Sequence, residues 1–192
     1  ARERWFAEYP LGKLEHQLAW GPSGRIGKWV ASHPAIVKIG DTLFVHGGIS
    51  VETAAHPIDA VNAAVRAALL SGDSEGPSIL TDPLGPLWYR GNVERDPPGG
   101  DATSAGAGRP SIDAELAQVL AAYGAKRLVV AHTPDLNGIE ATAGGRLIRI
   151  DSGISAYYGG PRSYLEILDG KAIAWHETEQ GGWISEALPS PQ

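Results

Sequence analysis

The sequence predicts an α/β fold with helices layered over sheet. Three observations carry that prediction. Short β-rich runs recur along the chain, two stretches place apolar residues at helical spacing behind clear start signals, and the strands are of two kinds, continuous apolar runs and alternating ones. A continuous run is buried on both faces and an alternating run on one, so the sheet has a covered centre and half-covered margins. With 192 residues, 43% of them hydrophobic and 20% charged, the chain can bury a core as one domain.

In chain order, residues 2–32 read as helical. Trp5, Phe6, Leu14, Leu18, Trp29 and Val30 supply apolar positions, broken by Pro10 and by "GPSG" at 21–24, with Ser23 as the cap of a helix ending near Ser32. "AIVKIG" and "TLFVHG" are β-rich and separated by Gly40 and Asp41, a hairpin pattern. Residues 57–71 open with Pro57 and carry Ile58, Val61, Val65, Ala68 and Leu69 at helical spacing. From 72 to 110 Gly, Pro, Ser and Asp surround one aromatic island, "PLWYRGN"; Glu94–Arg109 has almost nothing to bury and reads as a flexible surface loop. A helix follows at 111–123, capped by Ser111. Strands then come in succession: "RLVVAH", "GIEAT", "GRLIRID", "SYLEIL" and "AIAWHE".

Charge and composition exclude several function classes. The formal charge is −6, and the Lys and Arg residues are scattered, which argues against a nucleic-acid partner. No apolar run is long enough to span a bilayer, and no membrane partner is expected. Without cysteine, any metal must be held by His, Asp, Glu or Asn. The chain begins "ARERWF" and contains no Met, so residue 1 is expected to be internal to a longer protein. No address is legible; a soluble, cytoplasmic setting is placed ahead of a periplasmic one.

Two segments share a design in which an apolar strand ends in histidine and small or turn-forming residues follow. They are "LFVHGG", ending in His46, and "LVVAHTPD", ending in His132. A strand fixes the direction of its last side chain, and glycines at its exit let a ligand approach the backbone. Neutral imidazole is the commonest metal ligand, so two converging histidines would form half of a metal site. His16, His33, His56 and His176 lie in polar or turn surroundings and read as surface residues. Asp151 and Asp135 read as turn residues satisfying backbone N–H groups, and Trp88 and Tyr89 as anchors for the loop that carries Arg90.

Taken in order, "VHGGIS", "PLWYRG", "VVAHTPD" and "IRIDSGISAYYGG" resemble the calcineurin-like metallophosphoesterases, in particular their bacterial serine/threonine-phosphatase and Shewanella-like phosphatase branch, over about residues 35 to 168. The resemblance implies a four-layer α/β/β/α sandwich with a dinuclear centre of two divalent ions, manganese, iron or zinc, at the strand ends. It implies that His46 and His132 are metal ligands and that Arg90 grips the substrate phosphate, as a planar guanidinium can do bidentately. Gly47 would keep the approach to the phosphoryl group open, and Tyr158, or equally Tyr157, would line the pocket. The implied activity is phosphomonoester hydrolysis, with phosphorylated protein among the substrates.

The family's GDxHG, GDxxDRG and GNHE motifs do not occur here, so the resemblance makes residues 1–192 the C-terminal portion of a single such domain, with its N-terminal part missing and little activity alone. The competing reading is a non-catalytic module that retains Arg90 and binds phosphate or phosphoprotein without cleaving it.

Overall fold

The computed structural model describes residues 2–71, 76–95 and 108–191. Three short helices, α1 (Arg2–Glu8), α2 (Lys13–Trp20) and α3 (Arg25–Ala31), open the chain, separated where Pro10 and the 21–24 stretch interrupt the helical pattern. Gly24, not Ser23, is the N-cap residue of α3, and no side chain caps it. The hairpin β1 (Ile36–Ile39) and β2 (Thr42–Val45) follows as its pattern predicts, paired antiparallel with Ile39 opposite Thr42. A single turn, α4 (Val51–Ala54), precedes the long helix α5 (Ile58–Ser71). Then come α6 (Ile112–Ala122), whose Ser111 hydroxyl accepts from Ala114 N–H at 3.2 Å, and β3 (Arg127–Val130). β4 (Glu140–Thr142), β5 (Leu147–Arg149), β6 (Ser163–Leu168), β7 (Lys171–Glu177) and β8 (Trp183–Ala187) complete the order.

The strands form two sheets, a mixed one in the order β1-β2-β3-β5-β4 and an antiparallel one in the order β6-β7-β8. In the first, β2, β3 and β5 run parallel, and β3 is buried at every residue. Alternation divides its side chains between two cores. Leu128 and Val130 join Leu43, Val45 and Leu147 beneath Val61 of α5 and Leu116, Val119 and Leu120 of α6. Val129 and Ile148 point the other way, onto Ala172 and Ala174 of β7 and Leu165 and Ile167 of β6. The buried Arg127 shares that side and reaches the carbonyl of Gly170 in the β6–β7 turn at 3.4 Å, tying one sheet to the other.

Described residues thus form three layers: helices, mixed sheet, antiparallel sheet. On the outer face of the second sheet Tyr164 stacks on Trp175 with ring centroids 5.8 Å apart, and Trp183 meets Tyr164 edge-on at 5.2 Å. The expected fourth layer over that face is not found among the described residues. Most of the segment 94–109, expected to be a flexible loop, lies outside them. No described helix is long and apolar enough to cross a membrane.

Candidate phosphate-binding cluster

Because β2 and β3 are parallel neighbours with Val45 opposite Val130, the residues that follow them emerge side by side at the C-terminal edge of the sheet. His46 continues the pairing, its carbonyl accepting from Ala131 N–H at 2.9 Å. The next residue, His132, adopts φ +63°, a left-handed conformation uncommon for a residue with a Cβ, and its ring meets the ring of His46. His46 Nε2 lies 3.0 Å from His132 Nδ1 although the residues are 86 positions apart.

A third group arrives from the irregular segment 86–92. Arg90 Nη2 is 3.0 Å from His132 Nε2. A guanidinium can only donate, so His132 accepts at Nε2, carries its proton on Nδ1, and donates that proton to His46 Nε2. One directed chain runs from Arg90 through His132 to His46. It requires both imidazoles to be neutral. Burial, and then the charge of Arg90 and the neighbouring His46, lower the pKa of His132 below its ordinary value, against an opposing pull from Asp151.

The loop bearing Arg90 is laced to the loop after His46. Gly47 N–H donates to the Pro86 carbonyl at 2.9 Å, and Ile49 N–H to Asn92 Oδ1 at 2.7 Å, while Asn92 Nδ2 returns a bond to the Ile49 carbonyl at 3.1 Å. The two glycines have a local cause: a Cβ on Gly47 would lie 2.8 Å from the Leu87 carbonyl carbon and oxygen, and one on Gly48 2.8 Å from the Tyr89 carbonyl oxygen. Trp88 is half exposed, pinned by its indole N–H to the Leu80 carbonyl at 2.8 Å, and its ring sits edge-to-face against His132 at 5.1 Å.

The cluster therefore unites three of the residues singled out in the sequence, His46, His132 and Arg90, with Gly47 beside them. Tyr158 is half exposed and packs over Gly153 and edge-on to Tyr157 at 5.1 Å; no hydrogen bond or ring contact joins it to Arg90 or His132. Asp151 accepts from Gly153 N–H at 3.0 Å and Asp135 from Asn137 N–H at 3.0 Å, the turn roles their sequence surroundings indicate. His16, His33 and His56 are exposed, whereas His176 is half-buried with Nδ1 2.9 Å from the Ser163 hydroxyl.

The expectation of two divalent ions is corrected. Among the described residues no group of three or more His, Cys, Asp or Glu side chains is placed to hold a metal ion. His46 and His132 bring two nitrogens with no carboxylate to offset a dication's charge, and the facing nitrogens are engaged with one another. What sequence reasoning missed is the support beneath Arg90. Asn92 and Glu115 are both essentially buried polar residues, Glu115 bound to the hydroxyl of Tyr89 at 2.5 Å. The signal for Glu115 was present, since it falls in the apolar stripe of its helix with Ile112 and Val119.

The mixed sheet with parallel strands at its centre is an α/β scaffold, and solved structures to which the chain is similar include protein tyrosine phosphatases. One is the cold-active protein-tyrosine phosphatase of a psychrophilic Shewanella species, at TM-score 0.64 and 26% identity over 88% of this chain and 47% of that one. A further structure of a cold-active protein tyrosine phosphatase gives 0.63 and 25%, over 86% and 46%. An uncharacterized protein of Schizosaccharomyces pombe is 30% identical over 170 residues, which are 84% of this chain and 47% of the relative. No protein-family model matches the chain. The chain spans about half the length of the curated relative and solved structures to which it is similar.

Proposed function

We propose that the chain carries the phosphate-binding side of a phosphoric monoester hydrolase of the protein-phosphatase type. The observation that carries this reading is Arg90: a half-buried guanidinium at the sheet's C-terminal edge, hydrogen-bonded to a neutral imidazole and, among the described residues, without a carboxylate partner. By contrast Arg95, Arg109, Arg146, Arg149 and Arg162 are all committed to carboxylates. A planar cation free of its own counterion suits a phosphoryl group, whose oxygens it can meet two at a time.

In this reading the phosphoryl oxygens replace His132 as acceptors for Arg90. The freed Nε2 lone pair of His132 takes a proton from the attacking water as the new P–O bond forms; the ester P–O bond on the opposite side breaks, and the departing ester oxygen takes its proton from solvent. His46 holds the tautomer that leaves that lone pair facing outward. Gly47, which follows His46, and Tyr158, which packs over Gly153 beyond β5, are proposed to flank the ester. The half-exposed ring of Trp88 offers an apolar flank for the organic group, and the similarity to the Shewanella protein-tyrosine phosphatase makes phosphotyrosine the first substrate to test, ahead of phosphoserine and phosphothreonine in phosphoproteins. The motif order of the sequence supports a calcineurin-like, four-layer scaffold for the whole protein.

Hydrolysis of para-nitrophenyl phosphate and of a phosphotyrosine peptide by the whole gene product tests the reading. Charge-assisted hydrogen bonds are worth about 1.5–3 kcal/mol, so Arg90→Ala should lower kcat/KM by about 10- to 150-fold, and Arg90→Lys should recover little. Unchanged turnover in Arg90→Ala removes the proposal. A second reading, a module that binds phosphate without cleaving it, is favoured by the lack of any carboxylate in hydrogen-bond contact with the cluster among the described residues. Phosphate binding that needs Arg90, with no turnover by the whole gene product, would assign the chain to it.

A further inference from the structure

We infer that Glu115 is a positioning residue for Arg90, acting through Tyr89; the inference rests on the reading of Arg90 as the phosphate-binding group. Arg90 leaves the chain from irregular backbone, where no sheet ladder fixes the direction of a side chain. Its direction must come from anchors on either side. Two residues later stands Asn92, bound to the backbone of Ile49. One residue earlier stands Tyr89, wholly buried, its hydroxyl donating to Glu115 Oε2 at 2.5 Å.

Glu115 is itself fully buried on α6, a helix locked into the core by Leu116, Val119 and Leu120. A buried carboxylate is tolerated only when it is surrounded by donors and cations, and this one is. Arg95 Nη2 pairs with Oε2 at 2.8 Å, Arg109 Nη2 donates to Oε1 at 2.5 Å, and Val51 N–H lies 3.2 Å from Oε1. Arg109 also lies over the Tyr89 ring, 5.2 Å from its centroid. One carboxylate therefore joins the segment after His46, the segment bearing Arg90, and residues 95 and 109 to a rigid helix. Tyr89 cannot swing without breaking its bond to that carboxylate, and Arg90 is attached to Tyr89 by a single peptide unit. Such an anchor places a guanidinium in advance of ligand, which is what a phosphate site needs to avoid ordering it on binding.

Two variants test this with little change of shape. Tyr89→Phe removes only the hydroxyl, and Glu115→Gln keeps the volume and an acceptor while removing the charge. The readout is the ring nitrogen resonance of His132, which reports whether Arg90 still donates to Nε2, with Arg90→Ala as the reference for loss of that bond. Both variants should move the His132 signal toward the Arg90→Ala position and weaken binding of inorganic phosphate by about 10-fold, with the other ring signals in place. A His132 signal unmoved by Tyr89→Phe overturns the inference, because Asn92 alone would then suffice. Should Glu115→Gln fail to fold, Tyr89→Phe decides alone. If the wild-type chain binds no inorganic phosphate while Tyr89→Phe still shifts His132, the positioning role stands and the phosphate reading falls. The reverse result, phosphate bound and His132 unmoved, separates the two the other way.

Discussion

Glu115→Ala puts a number on the buried network. In the folded chain the carboxylate is within reach of the Tyr89 hydroxyl, two guanidinium groups and one backbone N–H. After truncation the losses are unequal. Arg109 keeps its two bonds to Glu52, at 3.0 and 2.9 Å, but Arg95, only 17% exposed at its side chain, loses the one carboxylate partner it has among the described residues. Removing one member of a buried ion pair leaves an uncompensated charge and costs about 3–5 kcal/mol. Domains are stable by about 5–15 kcal/mol, and for a chain of this length each kcal/mol moves Tm by about 2–4 °C, so the variant should melt about 6–20 °C lower. Urea unfolding followed by tryptophan fluorescence measures the loss, and the double variant with Arg95→Ala should recover part of it. Acid should act in the same direction. Burial alone would raise the Glu115 pKa, but the Tyr89 hydroxyl and the guanidinium groups of Arg109 and Arg95 outweigh it and hold the pKa below the ordinary value. The stabilisation is therefore complete above the unfolded pKa of about 4.3 and is lost as pH falls through the lower folded value. A loss below about 1 kcal/mol for Glu115→Ala, with unchanged urea dependence, would refute the reasoning.

Further expectations follow from the same geometry. His132 has a folded pKa below its unfolded value, so the unfolded chain binds more protons as pH falls past about 6.5, and stability should drop there; His132→Gln should flatten that part of a Tm-against-pH profile. Gly47→Ala drives a methyl group to 2.8 Å from backbone atoms of Leu87, which cannot rotate away, and should cost about 1–3 kcal/mol in urea unfolding. Chelator should leave the Tm of this chain unchanged, because the described residues provide no group of three ligands; a loss of stability on adding EDTA would count against the corrected assignment.

Most of the scaffold was legible because its elements advertise themselves by period. The hairpin at 36–45, the helices at 58–71 and 112–122 and the strands up to 177 all follow apolar spacing and caps. One helix and one strand escaped. β8 is exposed along its whole length, so burial imposed no alternation on "WISEA", and α4 is a single turn held by the Ser50 cap and too short to show a period. α1 and α2 follow the helical pattern that their apolar residues predict, yet neither helix buries a residue. At the cluster, His46 and His132 stand out in the sequence because each ends an apolar strand before small or turn-forming residues, whereas Arg90, on irregular backbone that no period marks, is singled out only through the resemblance carried by "PLWYRG". Their partners were not legible: which nitrogen faces which donor, and which carboxylate stands beneath Tyr89, depend on segments far apart in sequence that only the folded chain brings together.

The parallel pairing of β2 with β3 has a consequence for how the chain reaches this state. A hairpin neighbour can be found by a short local search, but these strands are separated by α4, α5, α6 and the long stretch between the last two. Contacts that close so large a loop form slowly, because the entropy of closure is lost before any contact energy is gained. A nascent or partly folded molecule thus holds two histidines that have never met. The cluster exists only once the centre of the sheet has zipped, so the meeting of His46 and His132 is a property of the completed sheet.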